Sequence, residues 1–153
     1  MAKIELTPDQ QNAVTARGSS VLVSAAAGSG KTRVLTERLA RWVTDPAEPH
    51  DVGEFLVITY TRAAAAELRG RILSELQNRA AADPGNHRLR RQVSLCCRAP
   101  IGTIHSFCAD VLREFGHEIE LAPDFRVGDE DKCLELREKA LDKTLEAAYA
   151  RIE

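Results

Sequence analysis

The sequence predicts an α/β protein in which a parallel sheet carries flanking helices. Two short apolar runs, residues 21–23 and 55–58, are typical of buried strands. Apolar residues recur at helical spacing after each of these runs. Because parallel strands need a crossover between them, strands that alternate with helices favour a parallel sheet over hairpins.

A helix, a strand and a second helix are predicted in the first third of the chain. Residues 7–10, Thr-Pro-Asp-Gln, form a capping box with proline at the first helical position. The helix that they start should end before Gly18. Residues 21–23 follow as a buried strand, and the small residues 25–30 form a loop. The second helix should begin near Lys31 and end before the prolines that follow.

Further strands and helices are predicted in the remainder. Residues 55–58 form the second buried strand, and the helical period returns from Arg62. Beyond a turn at residues 83–86 we predict further helices and one extended segment. The helices cover residues 87–97, 106–115 and 130–153, the last capped by Asp129, and residues 100–103 are extended. Few strands and no stop signal in the last helix lead us to expect a piece of a longer protein.

The strongest functional signal is the segment 25–32, Ala-Ala-Ala-Gly-Ser-Gly-Lys-Thr, between a predicted strand and a predicted helix. This is the context of a phosphate-binding loop, in which backbone N–H groups and a helix N-terminus surround phosphate oxygens. Lys31 can reach the β- and γ-phosphates of a nucleotide, and the Thr32 hydroxyl can ligate Mg²⁺. A glycine-rich turn without a ligand is the alternative, and Ala25 stands where the general pattern has glycine. The loop residues expected to bind are Ala26, Ala27, Gly28, Ser29, Gly30, Lys31 and Thr32.

Four segments in a fixed order resemble the motifs of UvrD-like superfamily-1 DNA helicases. They are residues 6–14, 25–35, 57–68 and 101–107, which match the Q-motif and motifs I, Ia and Ib. The resemblance covers nearly the whole chain. Within this group, residues 24–28, 63–66 and 103–108 are most similar to the AddA family of helicase–nuclease subunits, and RecB subunits are second.

The resemblance implies a RecA-like P-loop motor domain. Residues 1–122 would be the first half of motor domain 1A, and residues 123–153, from Pro123, would begin a helical insertion. No apolar strand ending in Asp-Glu follows the phosphate loop. The acid that completes the Mg²⁺ site, the water-activating glutamate and the arginine of a second motor domain are therefore expected elsewhere, and this piece alone should be inactive.

The resemblance also assigns binding roles. Gln10 would read the adenine edge and Arg33 would stack on the ring; a helix cap and a solvated charge are the alternatives. Two further groups would touch single-stranded DNA. These are Thr59, Tyr60, Thr61 and Arg62 from motif Ia, and Thr103 and His105 from motif Ib. In the alternative, Thr61 only caps a helix, Tyr60 packs and His105 is structural.

The same resemblance implies function and partners for the whole protein. It points to an ATP-dependent DNA helicase, with nuclease activity in the AddA family, that acts in double-strand break repair and recombination. Single-stranded or duplex DNA and a second, AddB-like subunit would be its partners, in a bacterial cytoplasm and without a membrane. The alternatives are a UvrD-type helicase without nuclease, a stand-alone nucleotide-binding module and a P-loop kinase, the last of which explains none of the outer segments.

Charge and cysteine content add weaker constraints. The net charge of −2 excludes only a uniformly basic surface. The segment from Arg62 to Arg98 contains eight arginines and only three acidic residues, so the middle of the chain is basic. These arginines can either bind a phosphate backbone or lie on solvated helix faces. The spacing of the cysteines matches no zinc pattern and favours reduced thiols. These cysteines are Cys96, Cys97, Cys108 and Cys133.

Overall fold

The computed structural model describes residues 5–122 and 124–151. These residues fall into two compact units, divided between Phe107 and Cys108. The domain boundary that the sequence predicts begins at Pro123, which lies outside the described residues, so that assignment stays a prediction.

In the described residues the order of elements is that of an α/β protein, with two strands separated by helices. The α-helices are α1 (Pro8–Thr15), α2 (Lys31–Val43), α3 (Arg62–Ala82), α4 (His87–Leu95), α5 (Ile104–Phe115) and α6 (Glu130–Tyr149). The strands are β1 (Val57–Thr59) and β2 (Ile101–Thr103), and single 3₁₀ turns cover Val52–Glu54, Cys96–Arg98 and Gly116–Ile119.

Strands β1 and β2 pair in parallel, as the alternation of strands and helices predicts. Val57 lies opposite Ile101, and Thr59 lies opposite Thr103. The crossover between them consists of α3 and α4, which pack together, and α3 also contacts both strands. The core is formed by apolar side chains of these elements and of α2, including Val43, Ile72 and Leu76, each fully buried.

The strand predicted at residues 21–23 is wrong for this structure. These residues have no strand conformation, and Leu22 is 94% exposed. A strand requires a neighbour that accepts and donates its backbone hydrogen bonds. Among the described residues the sheet consists of β1 and β2 alone, so residues 21–23 have no such neighbour.

Other predicted elements exist but have different limits. The strand expected at 55–58 is displaced to β1, and α5 begins two residues before its predicted start, because Thr103 caps it earlier. The helix α4 ends at Leu95 and continues as a 3₁₀ turn to Arg98. The last helix, predicted to reach Glu153, ends at Tyr149, and Ala150 and Arg151 form a turn. Glu153 itself lies outside the described residues.

Some arginines of the basic segment 62–98 point into the fold, where they bind backbone carbonyls or carboxylates. Arg69 donates to the carbonyls of Cys96, Cys97, Ala99 and Ile101 at 2.6–3.1 Å, so it fixes the entry into β2. Arg88 donates to the carbonyls of Val43 and His50, and Arg79 binds Glu37 and Glu75. These three arginines are structural, whereas Arg62, Arg90 and Arg91 are exposed.

The C-terminal unit contains the end of α5 and the whole of α6. Asp129 caps α6 as predicted, through a 2.8 Å bond from the Lys132 N–H, and no residue of α6 is buried. Glu135 has a lowered pKa because Lys132 and Lys139 both donate to its carboxylate. Among the helices of the described residues, none combines the length and the apolar content that a membrane span needs.

Candidate functional site

The predicted phosphate loop lies at the N-terminus of α2, as its sequence context requires. Gly28 and Gly30 have φ angles of 77° and 88°, which favour residues without a Cβ atom. The first helical bond runs from the Val34 N–H to the Gly30 carbonyl at 3.0 Å. Since the earlier N–H groups of a helix have no intrahelical acceptor, they are available to an anion at this end of α2.

The Lys31 side chain folds back over the loop. Its ammonium donates to the carbonyls of Ala25 and Ala26, both at 2.7 Å, and the residue is exposed. The cation therefore lies at the loop whose amides would surround a phosphate. An entering phosphate would offer the ammonium a charged acceptor, which is stronger than the neutral carbonyls that it now binds. The residues present thus fit a phosphate group.

Gln10 is both a helix cap and a loop contact. Its backbone N–H donates to the Thr7 hydroxyl, and its side-chain oxygen accepts from the Thr7 N–H at 3.0 Å, which completes the capping box. Its Nε2 donates to the Ser29 carbonyl, also at 3.0 Å. The cap alternative is therefore confirmed as a contact, but the same amide also reaches the phosphate loop. Adenine recognition by Gln10 stays a prediction.

Because Gly30 has no Cβ atom, the loop and the Gln10 side chain can approach each other closely. A Cβ atom at position 30 would lie 3.1 Å from the Gln10 Nε2. That distance is tight, and the φ angle of Gly30 disfavours other residues as well. Glycine at this position therefore serves both the turn of the loop and its contact with α1.

The two remaining residues that are predicted to bind the nucleotide lie on the first turn of α2. Thr32 is exposed, and its carbonyl accepts from the Thr36 hydroxyl at 2.9 Å. Arg33 is half-buried. Within residues 5–122 and 124–151, no three His, Cys, Asp or Glu side chains cluster closely enough to hold a metal ion. The Thr32 hydroxyl is the candidate Mg²⁺ ligand that the sequence identifies.

Motifs Ia and Ib emerge side by side at the carboxyl end of the sheet. Because Thr59 and Thr103 are partners in the parallel register, the residues that follow them leave the same edge. Thr61 caps α3 by accepting from the Ala64 N–H at 3.1 Å, as its alternative predicted. Tyr60 is fully exposed, so the alternative that it packs is wrong. Arg62 is exposed on the first turn of α3.

Motif Ib places one buried and one exposed candidate at this edge. The Thr103 hydroxyl accepts from the Ser106 N–H at 3.2 Å, and the Thr103 N–H donates to the Ser106 hydroxyl at 2.8 Å. Thr103 is 9% exposed, whereas His105 is exposed on the first turn of α5. Sequence reasoning missed Ser106, although the spacing Thr-x-x-Ser at a helix start was a usable signal for this reciprocal cap.

A cluster of charged and aromatic side chains joins the C-terminal ends of α1 and α2. Arg17 pairs with Asp45, and its guanidinium lies 4.5 Å from the centre of the Trp42 ring. The pKa of Asp45 lies below its usual value, because the backbone N–H groups of Glu48 and Ala47 and, to a smaller extent, Arg17 stabilise its carboxylate. The cluster therefore anchors the chain on both sides of the exposed residues 19–29.

Comparison with known proteins agrees with the motifs found in the sequence. Residues 6–152 match the UvrD/REP helicase N-terminal domain family. A Bacillus pumilus protein, named as an ATP-dependent helicase/nuclease subunit, is 48% identical over 94% of this chain and 12% of its own length. Proteins with the same name from Moorella thermoacetica and Clostridium acetobutylicum are 48% and 40% identical, over 97% and 100% of this chain. The chain spans 10–12% of the length of each relative.

Proposed function

The chain belongs to the UvrD/REP helicase N-terminal domain family, and on that basis we propose that it binds ATP with Mg²⁺ for a DNA-translocating motor. One observation carries the proposal. The Lys31 ammonium lies on a loop of small residues at a helix N-terminus, and the Gln10 amide is bonded to the same loop. A cation and helix N-terminal amides suit the phosphates of a nucleoside triphosphate, and an amide from a separate helix suits its base.

Each side chain of the site has a proposed role. The backbone of residues 26–30 surrounds the phosphates, and Lys31 neutralises the charge that develops on the β- and γ-phosphates. The Thr32 hydroxyl would hold Mg²⁺, which would supply further charge neutralisation. Gln10 offers a donor and an acceptor to the adenine edge, and the flat guanidinium of Arg33 stacks on the ring. Lys31 and Thr32 are thus the catalytic contribution of this chain.

The wider function rests on relatives that are longer than this chain. Their shared name describes an ATP-dependent helicase/nuclease subunit. We extend that name to a protein that uses ATP to move along single-stranded or duplex DNA, with a second, AddB-like subunit, in double-strand break repair and recombination in a bacterial cytoplasm. Residues 1–122 form the first part of its ATP-binding motor domain, and residues 123–153 begin a helical insertion.

The carboxyl edge of the sheet is the proposed contact with single-stranded DNA. Tyr60 offers an uncovered ring on which a base can stack, and Arg62 and His105 offer polar groups to phosphates. Thr59, Thr61 and Thr103 stand at the ends of the strands and at a helix start, where hydroxyls and helix N–H groups suit phosphates. In this proposal Tyr60 carries the base contact, and Arg62, His105 and the three threonines carry the contact with the phosphate backbone.

Lys31→Ala tests the nucleotide site. Loss of one charge-assisted phosphate contact should weaken binding of a fluorescent ATP analogue by roughly 1.5–3 kcal/mol. Arg41→Ala is the matched control, because Arg41 is an exposed cation of the same helix away from the loop. Equal affinity of Lys31→Ala and the parent protein would contradict the assignment of Lys31 to the phosphates.

Photocrosslinking of a single-stranded oligonucleotide tests the DNA edge. Crosslinks should map to residues 59–62 and 103–105 in the full chain, and Tyr60→Ala should lower affinity by about 1–3 kcal/mol through loss of one stacked base. Tyr149→Ala, an exposed tyrosine of α6, is the control. Crosslinks confined to the exposed arginines of α4, Arg90 and Arg91, would move the DNA site to that helix.

A further inference from the structure

The helix that carries Gln10 is held at both of its ends, by the candidate phosphate loop at one end and by α2 at the other. At the N-terminal end, Gln10 donates to the Ser29 carbonyl at 3.0 Å. At the C-terminal end, Arg38 of α2 donates through Nη1 to the Ala13 carbonyl at 2.7 Å and to the Val14 carbonyl at 3.5 Å. The last carbonyls of a helix have no intrahelical donor, so this guanidinium occupies acceptors that α1 leaves open.

The Arg38 guanidinium is itself fixed by its surroundings. It lies 5.6 Å from the centre of the Trp42 ring, one turn further along α2. Val14, on the α1 turn that Arg38 contacts, is 1% exposed and is the only buried residue of α1. Together with the buried Val14 and the Arg17 pair with Asp45, the Arg38 guanidinium therefore holds the end of α1 in place.

The position of this end decides where the Gln10 amide lies. Ala13 is one helical turn from Gln10, and α1 is only eight residues long. So short a helix has little stability of its own and depends on its packing. If the Arg38 contact is lost, α1 can shift, and the Gln10 amide moves relative to the loop. A shift of about 1 Å is enough to misplace a directional hydrogen bond.

We propose that Arg38 is a positioning residue for nucleotide selection, which places Gln10 so that its amide distinguishes adenine from guanine. The inference rests on the proposed ATP site and adds a residue that does not touch the nucleotide. Arg38 acts through the α1 backbone, so its loss changes the choice of base and leaves phosphate binding to Lys31 intact.

The test compares three ligands on the full chain: Mg²⁺–ATP, Mg²⁺–GTP and Mg²⁺–tripolyphosphate, which has no base. Arg38→Met keeps the apolar stem and removes the donors. We expect the ATP-to-GTP affinity ratio to fall about fivefold, the factor that one hydrogen bond represents, with tripolyphosphate affinity unchanged. Arg38→Lys keeps a donor and should restore the ratio. Arg41→Met removes the same charge from an exposed position of α2 and should match the parent protein.

A double-mutant cycle with Gln10→Ala separates positioning from a general loss of structure. In the Gln10→Ala background, Arg38→Met should have no further effect on the ratio, because the residue through which it acts is gone. Additive effects would overturn the inference. An equal loss of affinity for all three ligands in Arg38→Met would overturn it as well. If Arg38→Met does not fold, Arg38→Gln, too short for the Ala13 carbonyl, replaces it with the same expected result.

The two levels of the proposal fail differently. If Lys31→Ala binds all three ligands like the parent protein, the ATP site itself is wrong, and the role of Arg38 is wrong with it. If Lys31 and Gln10 behave as proposed and Arg38→Met keeps the parent ratio, only the role of Arg38 is wrong.

Discussion

Two apolar segments that look alike in sequence have opposite structures. Residues 21–23 are exposed and irregular, whereas Val57 to Thr59 form β1, with Val57 buried. The difference lies in their neighbours: β1 pairs with β2 and is covered by α3, and residues 21–23 have no strand beside them among the described residues. An apolar run therefore indicates that a segment can become a buried strand, and a partner decides whether it does.

The contrast extends to the functional candidates near each segment. The open segment, residues 19–30, contains the phosphate loop, whose contacts come from Lys31 and Gln10. The closed segment, residues 52–103, is held by a buried core and by arginine bonds to carbonyls, and it presents Tyr60 and Arg62 at its edge. Polar side chains contact the candidate phosphate loop, whereas a buried core lies behind the edge of the sheet.

The largest expected effect is on the free energy of unfolding, which should respond differently to substitutions in the two segments. Ile72→Ala, in the core beside β1, should lower the free energy of unfolding by about 2–5 kcal/mol, because it leaves a cavity at a fully buried position. Leu22→Ala, in the open segment, should change it by less than about 0.5 kcal/mol. Urea unfolding measures both. A comparable loss for Leu22→Ala would show that something covers the open segment in solution.

The next effect concerns the arginine that fixes β2. Arg69→Met removes charged donors from four carbonyls and should cost roughly 1.5–3 kcal/mol of unfolding free energy. Arg71→Met is the matched control, since Arg71 is exposed and forms only an i,i+4 pair with Glu67, worth about 0.3–0.5 kcal/mol. Equal losses would mean that the carbonyl bonds of Arg69 contribute nothing beyond surface charge.

A smaller effect tests the helix cap at the edge of the sheet. Thr61→Ala should lower the free energy of unfolding by about 1 kcal/mol through loss of the α3 cap. Thr61→Ser keeps the cap and should restore stability. If Thr61→Ala leaves the unfolding midpoint unchanged, the bond to the Ala64 N–H does not hold the start of α3.

The smallest effect tests the anchor beside the open segment. The folded-state pKa of Asp45 is lowered from its ordinary value of 3.8, so its contribution is present above that value and is lost as pH falls through the folded pKa. Asp45→Asn should therefore reduce the acid sensitivity of stability below about pH 4. Thermal unfolding between pH 6 and pH 3 measures this. Identical pH profiles for both proteins would exclude Asp45 as a source of acid sensitivity.

Local sequence signals predicted most of the helix limits and the candidate loop. The capping box of α1, the Asp129 cap of α6 and the helix start at Lys31 depend on bonds between residues that are close in the chain. The positive φ angles at Gly28 and Gly30 follow from the same local requirement. Such features need no knowledge of the rest of the fold, because the atoms that form them are only a few residues apart.

The sequence by itself determined the α/β class, the candidate phosphate loop and the order of motifs that identifies the family. Tertiary structure alone decided that residues 21–23 form no strand, that Arg69, Arg79 and Arg88 bind backbone and acids, and that Arg38 holds the end of α1. The physical reason is distance along the chain. Arg38 lies 25 residues from Ala13, and only the packed structure shows which carbonyl so long a side chain reaches. Likewise, only the packed structure shows whether an apolar segment has a neighbouring strand with which to pair.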